Sequence, residues 1–269
     1  MSETTAQGME LGLSFEEYQS REGLNKSSAV NLLKTPAHFM AAKQAQRKVT
    51  PALNRGLALH CKLSDDRHCL AVTPKVDRRT KVGKAVFAEF EQQAVGRIIV
   101  TPEVDDQTEA MAEAILAHPI ADAYRRQGQH EGSIFFDFDG VLCKARVDCL
   151  TDECIVDWKS TGDIEAFERS IATYHYDLQV AWYTEAVRAV TGKALPFRFV
   201  VVEDTPPYAV RVFEAGETLW ERGSHHMQKC VDIYRQCRER DEWPGYPPTI
   251  ETAELPHYAR LEVSDVIEI

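Results

Sequence analysis

Between residues 141 and 160 the chain reads VLCKARVDCLTDECIVDWKS, and no other segment constrains the fold as tightly. Apolar and polar side chains alternate there, which is the period of a strand and not of a helix. Lys144, Arg146 and Asp148 fall on one face of the first run, with Cys143, Ala145, Val147 and Cys149 on the other. In the second run Ile155, Asp157 and Lys159 share a face, opposite Val156 and Trp158. Thr151-Asp152-Glu153 supplies a turn between the runs, so a hairpin would set Asp148 beside Asp157 and Lys159. Residues 133–138 alternate in the same way, and Asp139-Gly140 is a two-residue hairpin turn leading into position 141. Strands at 133–138, 141–150 and 154–159 therefore form an antiparallel meander.

The rest of the chain is arranged around this meander. Residues 1–20 are expected to be loosely ordered. In Asn25-Lys26-Ser27-Ser28, Ser27 or Ser28 is the expected N-cap of a helical segment that Pro36 divides in two. Leu53, Leu57, Leu59, His60 and Leu63 recur at helical spacing over 52–63. VTPKVDRRTKVGK is basic and turn-rich and reads as an exposed loop, and 106–118 reads as a helix ending at Pro119. Helical periodicity returns over 164–190, strands follow at 196–203 and 208–214, and a last helix covers 216–240 before a proline-rich tail. The order predicts one α/β domain over 21–269, with a helical part (21–128), a sheet core (129–240) and an irregular tail (241–269).

Composition narrows the classes. A chain of 269 residues makes one large domain or two small ones. It has no run of eighteen apolar residues and no signal-peptide pattern at its start, so a cytoplasmic, non-membrane protein is expected. The seven cysteines are odd in number and none forms a CxxC pair, which argues against a disulfide framework, a zinc ribbon or an iron–sulfur cluster and for small buried side chains. The net charge of −11 argues against a broad basic surface for nucleic acid, but a narrow channel with a few Lys and Arg and bound divalent cations is compatible with it.

Asp148, Asp157 and Lys159 have a chemical logic. Two carboxylates on neighbouring strands repel unless a cation lies between them, and Mg²⁺ takes hard oxygen ligands. Such a cation neutralises phosphate charge and eases ionisation of water, while a nearby lysine holds or deprotonates the attacking water, or neutralises the pentavalent phosphate, and Lys159 is expected to activate the water. The carbonyl of Trp158 lies between Asp157 and Lys159 and is a further possible ligand. A DxK triplet alone is more often a solvated salt bridge. Here it is joined by Gln179 and Tyr183 at i, i+4 on a following helix and by His60 in GLALH. A rival motif, IFFDFDGVLC, resembles the opening of haloacid-dehalogenase-type phosphatases, with Asp137 as nucleophile and Asp139 as acid/base. Its mid-chain position, the strand that follows it and the turn chemistry of Asp139-Gly140 argue against that reading.

These elements together resemble the RecE-type exonucleases (exodeoxyribonuclease VIII-like), in the RecB-like branch of the PD-(D/E)xK nucleases. GLALH, His130-Glu131-Gly132-Ser133, KARVD, IVDWKS and LQVAWY occur in the family's order, and NKSSAVNLLKTPAHF resembles its opening helices, so that the likeness spans residues 20 to 250. The resemblance implies a restriction-endonuclease-like core, a mixed central sheet flanked by helices, with an N-terminal helical part. It implies His60, Glu131, Asp148, Asp157 and the Trp158 carbonyl as metal ligands, with Asp148, Asp157, Lys159, Gln179 and Tyr183 at the catalytic centre. It further implies Mg²⁺ (with Mn²⁺ able to substitute), 5′-to-3′ degradation of linear double-stranded DNA from its ends, a single-strand annealing partner, a possible homo-oligomeric ring and a place in phage-type recombination. Asp157 stands where other branches carry Glu, and either binds a metal. On this reading Lys159→Ala abolishes activity and leaves the fold intact. The contrasting expectation is a non-catalytic module that binds nucleic acid or a protein partner on the same fold.

Overall fold

A computed structural model describes residues 8–45, 50–64 and 66–256. In chain order they form β1 (Gly8–Glu10), α1 (Phe15–Ser20), α2 (Lys26–Ala29) running into a 3₁₀ turn (Val30–Leu33), α3 (Pro36–Gln44), α4 (Pro51–Leu63), β2 (Leu70–Val72), α5 (Lys81–Gln93), β3 (Ile98–Val100), α6 (Pro102–Ala117), α7 (Pro119–Gln127), β4 (Gln129–Phe138), β5 (Val141–Leu150), β6 (Ile155–Thr161), α8 (Phe167–Thr173), α9 (Tyr176–Thr191), β7 (Phe197–Glu203), β8 (Val210–Glu214) and α10 (Glu217–Arg240). Among the described residues no helix is long and apolar enough to cross a membrane.

Six strands make a mixed central sheet in the order β1-β4-β5-β6-β7-β8. Every neighbouring pair is antiparallel except β6–β7, which is parallel. A parallel pair needs a crossover, and α8 and α9 provide it, bringing α9 across the sheet. The β4–β5 turn is the two-residue Asp139-Gly140 with both φ angles positive (50° and 76°), the geometry that suits the twist of a hairpin. β2 and β3 pair in a small separate parallel sheet.

Both faces of the sheet are covered. On one, Ile134, Phe136, Ala145, Val147, Ile155, Phe199 and Val201 pack against Leu178, Ala181 and Trp182 of α9 and Met227, Cys230 and Val231 of α10. On the other, Val156, Trp158, Val200 and Val202 pack against Leu59 and Leu63 of α4, Met111, Ala112 and Ile115 of α6, and Ala121 of α7. A helix on each face explains why the central strands carry few solvent-facing polar residues beyond those the site uses.

Several expectations are corrected. Of the stretch 1–20 expected to be loosely ordered, residues 8–20 are tied down, since β1 pairs with β4 and α1 carries a capping box from Ser14 and Glu17, and residues 1–7 lie outside the described residues. The N-cap of α2 is Asn25, whose side chain accepts from Ser28 N, and not Ser27 or Ser28. Pro36 does separate two helical pieces, because it opens α3 behind a Thr35 cap. The same Thr-Pro pair opens α4 and α6, so α6 starts at Pro102 and not at 106, and His118-Pro119 opens α7, which the periodicity did not separate from loop. α5 and the β2–β3 pair occupy the span read as mixed, and the helical stretch 164–190 is two helices broken at His175, whose φ is 52°. Cys61 and Cys69 are paired, with Cα atoms 6.5 Å apart, against the expectation of unpaired thiols; the other five cysteines are free and buried.

Candidate active site

The site lies where β5 and β6 part. Their ladder comprises only two pairs, Cys149↔Val156 and Leu150↔Ile155. The next pair would oppose Asp148 to Asp157. Instead the Asp148 carboxylate enters the gap and accepts a hydrogen bond from the Trp158 backbone N–H at 3.0 Å, replacing a main-chain acceptor of the ladder. On its other side, β4 pairs with β5 in unbroken register except opposite Asp148, where Glu131 sits at φ 54°. That left-handed residue is rare away from glycine and interrupts the strand's alternation at this position.

His60, Glu131 and Asp148 converge there. Their ligand atoms all lie within 4.8 Å of one another, with His60 Nδ1 3.6 Å from Asp148 Oδ1 and 3.8 Å from Glu131 Oε1. The other ring nitrogen, Nε2, is 3.1 Å from the Trp158 carbonyl. Asp157 is not part of this close trio. It is fully buried on the α9 face, ion-paired with Lys159 and hydrogen-bonded by the Gln179 amide. Tyr183, one turn beyond Gln179, is close enough that burial, then the charges of Asp148 and Asp157, push its hydroxyl well above the usual range.

The electrostatics are those of a site short of positive charge. Burial pushes the Asp148 carboxyl up to about 8; Asp157 and Glu131 add to this, against His60 and Lys159. Burial opposes the His60 imidazolium, yet Asp148 and Glu131 outweigh it and push its pKa up to about 9. Burial likewise acts to raise Glu131, but His60 and Arg146 hold it below the usual carboxylate range. The His60–Asp148 pair thus holds on to a proton that a cation would displace. A crowded donor set of two carboxylates and one imidazole fits a divalent cation of the Mg²⁺ or Mn²⁺ kind; the Trp158 carbonyl, expected as a further ligand, lies instead against the His60 nitrogen that faces away from the trio.

Lys159 stays an ammonium: burial works against its charge, but Asp157 and Asp148 outweigh it and its pKa rises. Its Nζ lies 4.9 Å from the centre of the Tyr176 ring, with Lys26 Nζ 5.5 Å from the same ring. Burial, then Lys159, lowers the Lys26 pKa to about 8. Neither Lys26 nor Tyr176 was singled out from the sequence. Tyr176 was within reach, since 176, 179 and 183 share one helix face; Lys26 carried no local signal. Lys144 and Arg146 are spent on structure. Lys144 is buried and donates to the carbonyls of Tyr18, Gln19 and Arg21, and Arg146 pairs with Glu131 at 2.7 Å and donates to the Leu13 carbonyl. The rival phosphatase motif has no site. Asp137 accepts from Gly140 N within the hairpin turn, and Asp139 accepts from Gln228 on α10.

A mixed sheet covered by helices on both faces, with a carboxylate in the gap between two parting strands and an Asp-x-Lys on the second, defines the PD-(D/E)xK nuclease-like class. Within that class the chain belongs to the family described as PDDEXK-like domain of unknown function (DUF3799), whose model matches residues 26–256. No curated protein matches the sequence. Among solved structures, a candidate exonuclease from Eubacterium rectale is similar at a TM-score of 0.64 and 17% identity, covering 92% of this chain and 96% of its own. The protein SSO0001 aligns at a TM-score of 0.31 and 10% identity over 78% of this chain and 83% of its own, too weak a likeness to bear on the fold. The family and the fold together point to a nuclease.

Proposed function

We propose that this protein is a Mg²⁺-dependent exodeoxyribonuclease that hydrolyses linear double-stranded DNA from its ends. The observation that carries this reading is the gap between β5 and β6, where Asp148, His60 and Glu131 gather beside the Lys159 ammonium. Asp148, Glu131 and His60, through Nδ1, would hold the cation, while the Trp158 carbonyl accepts from the opposite ring nitrogen and orients the imidazole. The cation would supply Lewis acidity, neutralising phosphate charge and easing ionisation of water. Lys159, kept protonated by Asp157, donates to the phosphate oxygens as negative charge builds on them and is not a general base at neutral pH. Gln179 orients Asp157 and so the lysine, while Tyr183 closes the α9 side. Asp157 on this geometry acts through Lys159 and is not a ligand in the close trio.

The likeness to RecE-type enzymes supports 5′-to-3′ polarity, a role in phage-type recombination, a single-strand annealing partner and a ring-like assembly as parts of the same proposal. The test compares linear and covalently closed circular duplex DNA, each end separately labelled, with Mg²⁺ or Mn²⁺. Linear duplex should be shortened from the 5′ ends and the circle left intact, and Asp148→Asn should lower the rate by at least about a hundredfold, in line with loss of a group that stabilises developing charge. An unaltered rate in Asp148→Asn, or no cleavage by folded wild-type protein, overturns the assignment; equal attack on circles replaces the exonuclease with an endonuclease.

A further inference from the structure

A second cluster of metal-type donors stands apart from the trio, at the start of α9. α8 ends at Thr173, and His175 turns the chain into α9 in a left-handed conformation, φ 52°, without its side chain capping the helix. Asp177, in the first turn of α9, is 1% exposed. α10 crosses directly above: a Cβ on Gly223 would lie 2.0 Å from the Asp177 carbonyl oxygen, so only glycine permits this approach. One turn further along α10, His226 is thereby set against Asp177, Nδ1 to Oδ2 at 2.9 Å.

That contact leaves two donors unspent. Asp177 Oδ1 and His175 Nδ1 are both buried and have no hydrogen-bond partner. They are 4.0 Å apart, too far to bond to each other. Two buried acceptor-type atoms facing across such a gap are costly unless something bridges them. Donors that share one zinc-sized ion at about 2.1 Å stand about 3.4 Å apart when tetrahedral, so a small rotation of His175 brings the set to bonding geometry. All three ligand atoms already lie within 4.8 Å of one another. Arg222 Nε approaches Oδ2 at 3.4 Å, but its side chain is half exposed and can swing away. A groove of about 510 Å³, walled by His175, His225, His226, Lys34, Lys229 and Tyr174, runs alongside both histidines.

We propose that His175, Asp177 and His226 form a structural transition-metal site of the Zn²⁺ type, which ties the start of α9 to α10. Two imidazoles and one carboxylate select a borderline-soft cation over Mg²⁺, whereas the trio at the parted strands has the reverse ratio. The site braces the helix that carries Gln179, and it does not depend on the nuclease reading.

The test uses untagged full-length protein stripped by chelator, in a Glu131→Gln/Asp148→Asn background so that the trio contributes no affinity. Zn²⁺ is titrated by calorimetry, thermal stability is followed in parallel, and Co²⁺ serves as the visible-absorption probe. One equivalent should bind, raise the melting temperature and give an imidazole–carboxylate cobalt spectrum. His175→Gln and His226→Gln should each weaken binding by at least about tenfold with unchanged circular dichroism. Should one variant misfold, the other carries the test, since both histidines are partly exposed. No binding in the background protein, or unchanged binding in both histidine variants, overturns the site and leaves a bridging water as the occupant of the gap. DNA cleavage is not read in this experiment, so its outcome is separable from that of the nuclease assay.

Discussion

The Lys159–Asp157 pair shows how a residue read as purely catalytic becomes structural once its surroundings are known. Asp157 has no contact with solvent, and its charge is balanced by Lys159 and the Gln179 amide. Removing one member of such a pair strands a buried charge. The expectation that Lys159→Ala spares the fold is therefore replaced. The variant should lose about 3–5 kcal/mol of stability as well as activity. Asp157→Asn/Lys159→Met, which removes both charges, should regain much of the stability and remain inactive. Urea unfolding of the three proteins measures this, and a Lys159→Ala midpoint equal to that of the native protein would contradict the buried-pair account. That Asp157 and Lys159 share a face was legible from strand parity alone. That Asp148 would leave its ladder position and bond to Trp158 N was not, because parity assigns a face and not the point at which pairing stops.

At the scale of elements, the α9–α10 crossing governs the site. Gly223 lets α10 approach the first turn of α9, and the obstacle to any larger residue is the backbone carbonyl of Asp177, which cannot rotate out of the way. Gly223→Ala should cost about 1–3 kcal/mol through overpacking, although alanine is the better helix former. The displaced α9 should also lower nuclease activity through Gln179. Equilibrium unfolding with a parallel cleavage assay checks both; a variant more stable than the native protein would mean that the helices separate freely. Helix starts were legible wherever Thr-Pro or His-Pro supplied a cap and a first-turn proline. The break at His175 was not, since neither glycine nor proline marks it, and the contact its ring makes is with His226 of α10, far along the chain.

Across the whole molecule, two apolar layers lie on opposite faces of one sheet, and the same central strands contribute side chains to both. Losing either layer exposes the strands that support the other, so unfolding should be cooperative. Trp158 reports one layer and Trp182 the other. Variants retaining only one of these tryptophans, with the rest replaced by Phe, should unfold at the same denaturant midpoint by fluorescence. Separated midpoints would divide what is proposed as a single domain.

The alternation over 141–160, the Asp139-Gly140 turn and the helical spacing of Gln179 and Tyr183 are local properties. A period of two or of 3.6 exists in the chain before it folds, so the strands and the class of chemistry could be read directly, and the faces of β5 as far as Val147; beyond Asp148 the alternation slips, and Cys149 packs on the α7 side and not with Ala145 and Val147 as its parity predicts. Convergence is a different matter. His60 on α4, Glu131 on β4 and Asp148 on β5 meet where β5 and β6 part after two pairs and α4 packs on the sheet beside the gap, and His175 meets His226 where a glycine lets two helices touch. Those distances depend on the packing of residues far apart in the chain, and no pattern along it encodes them.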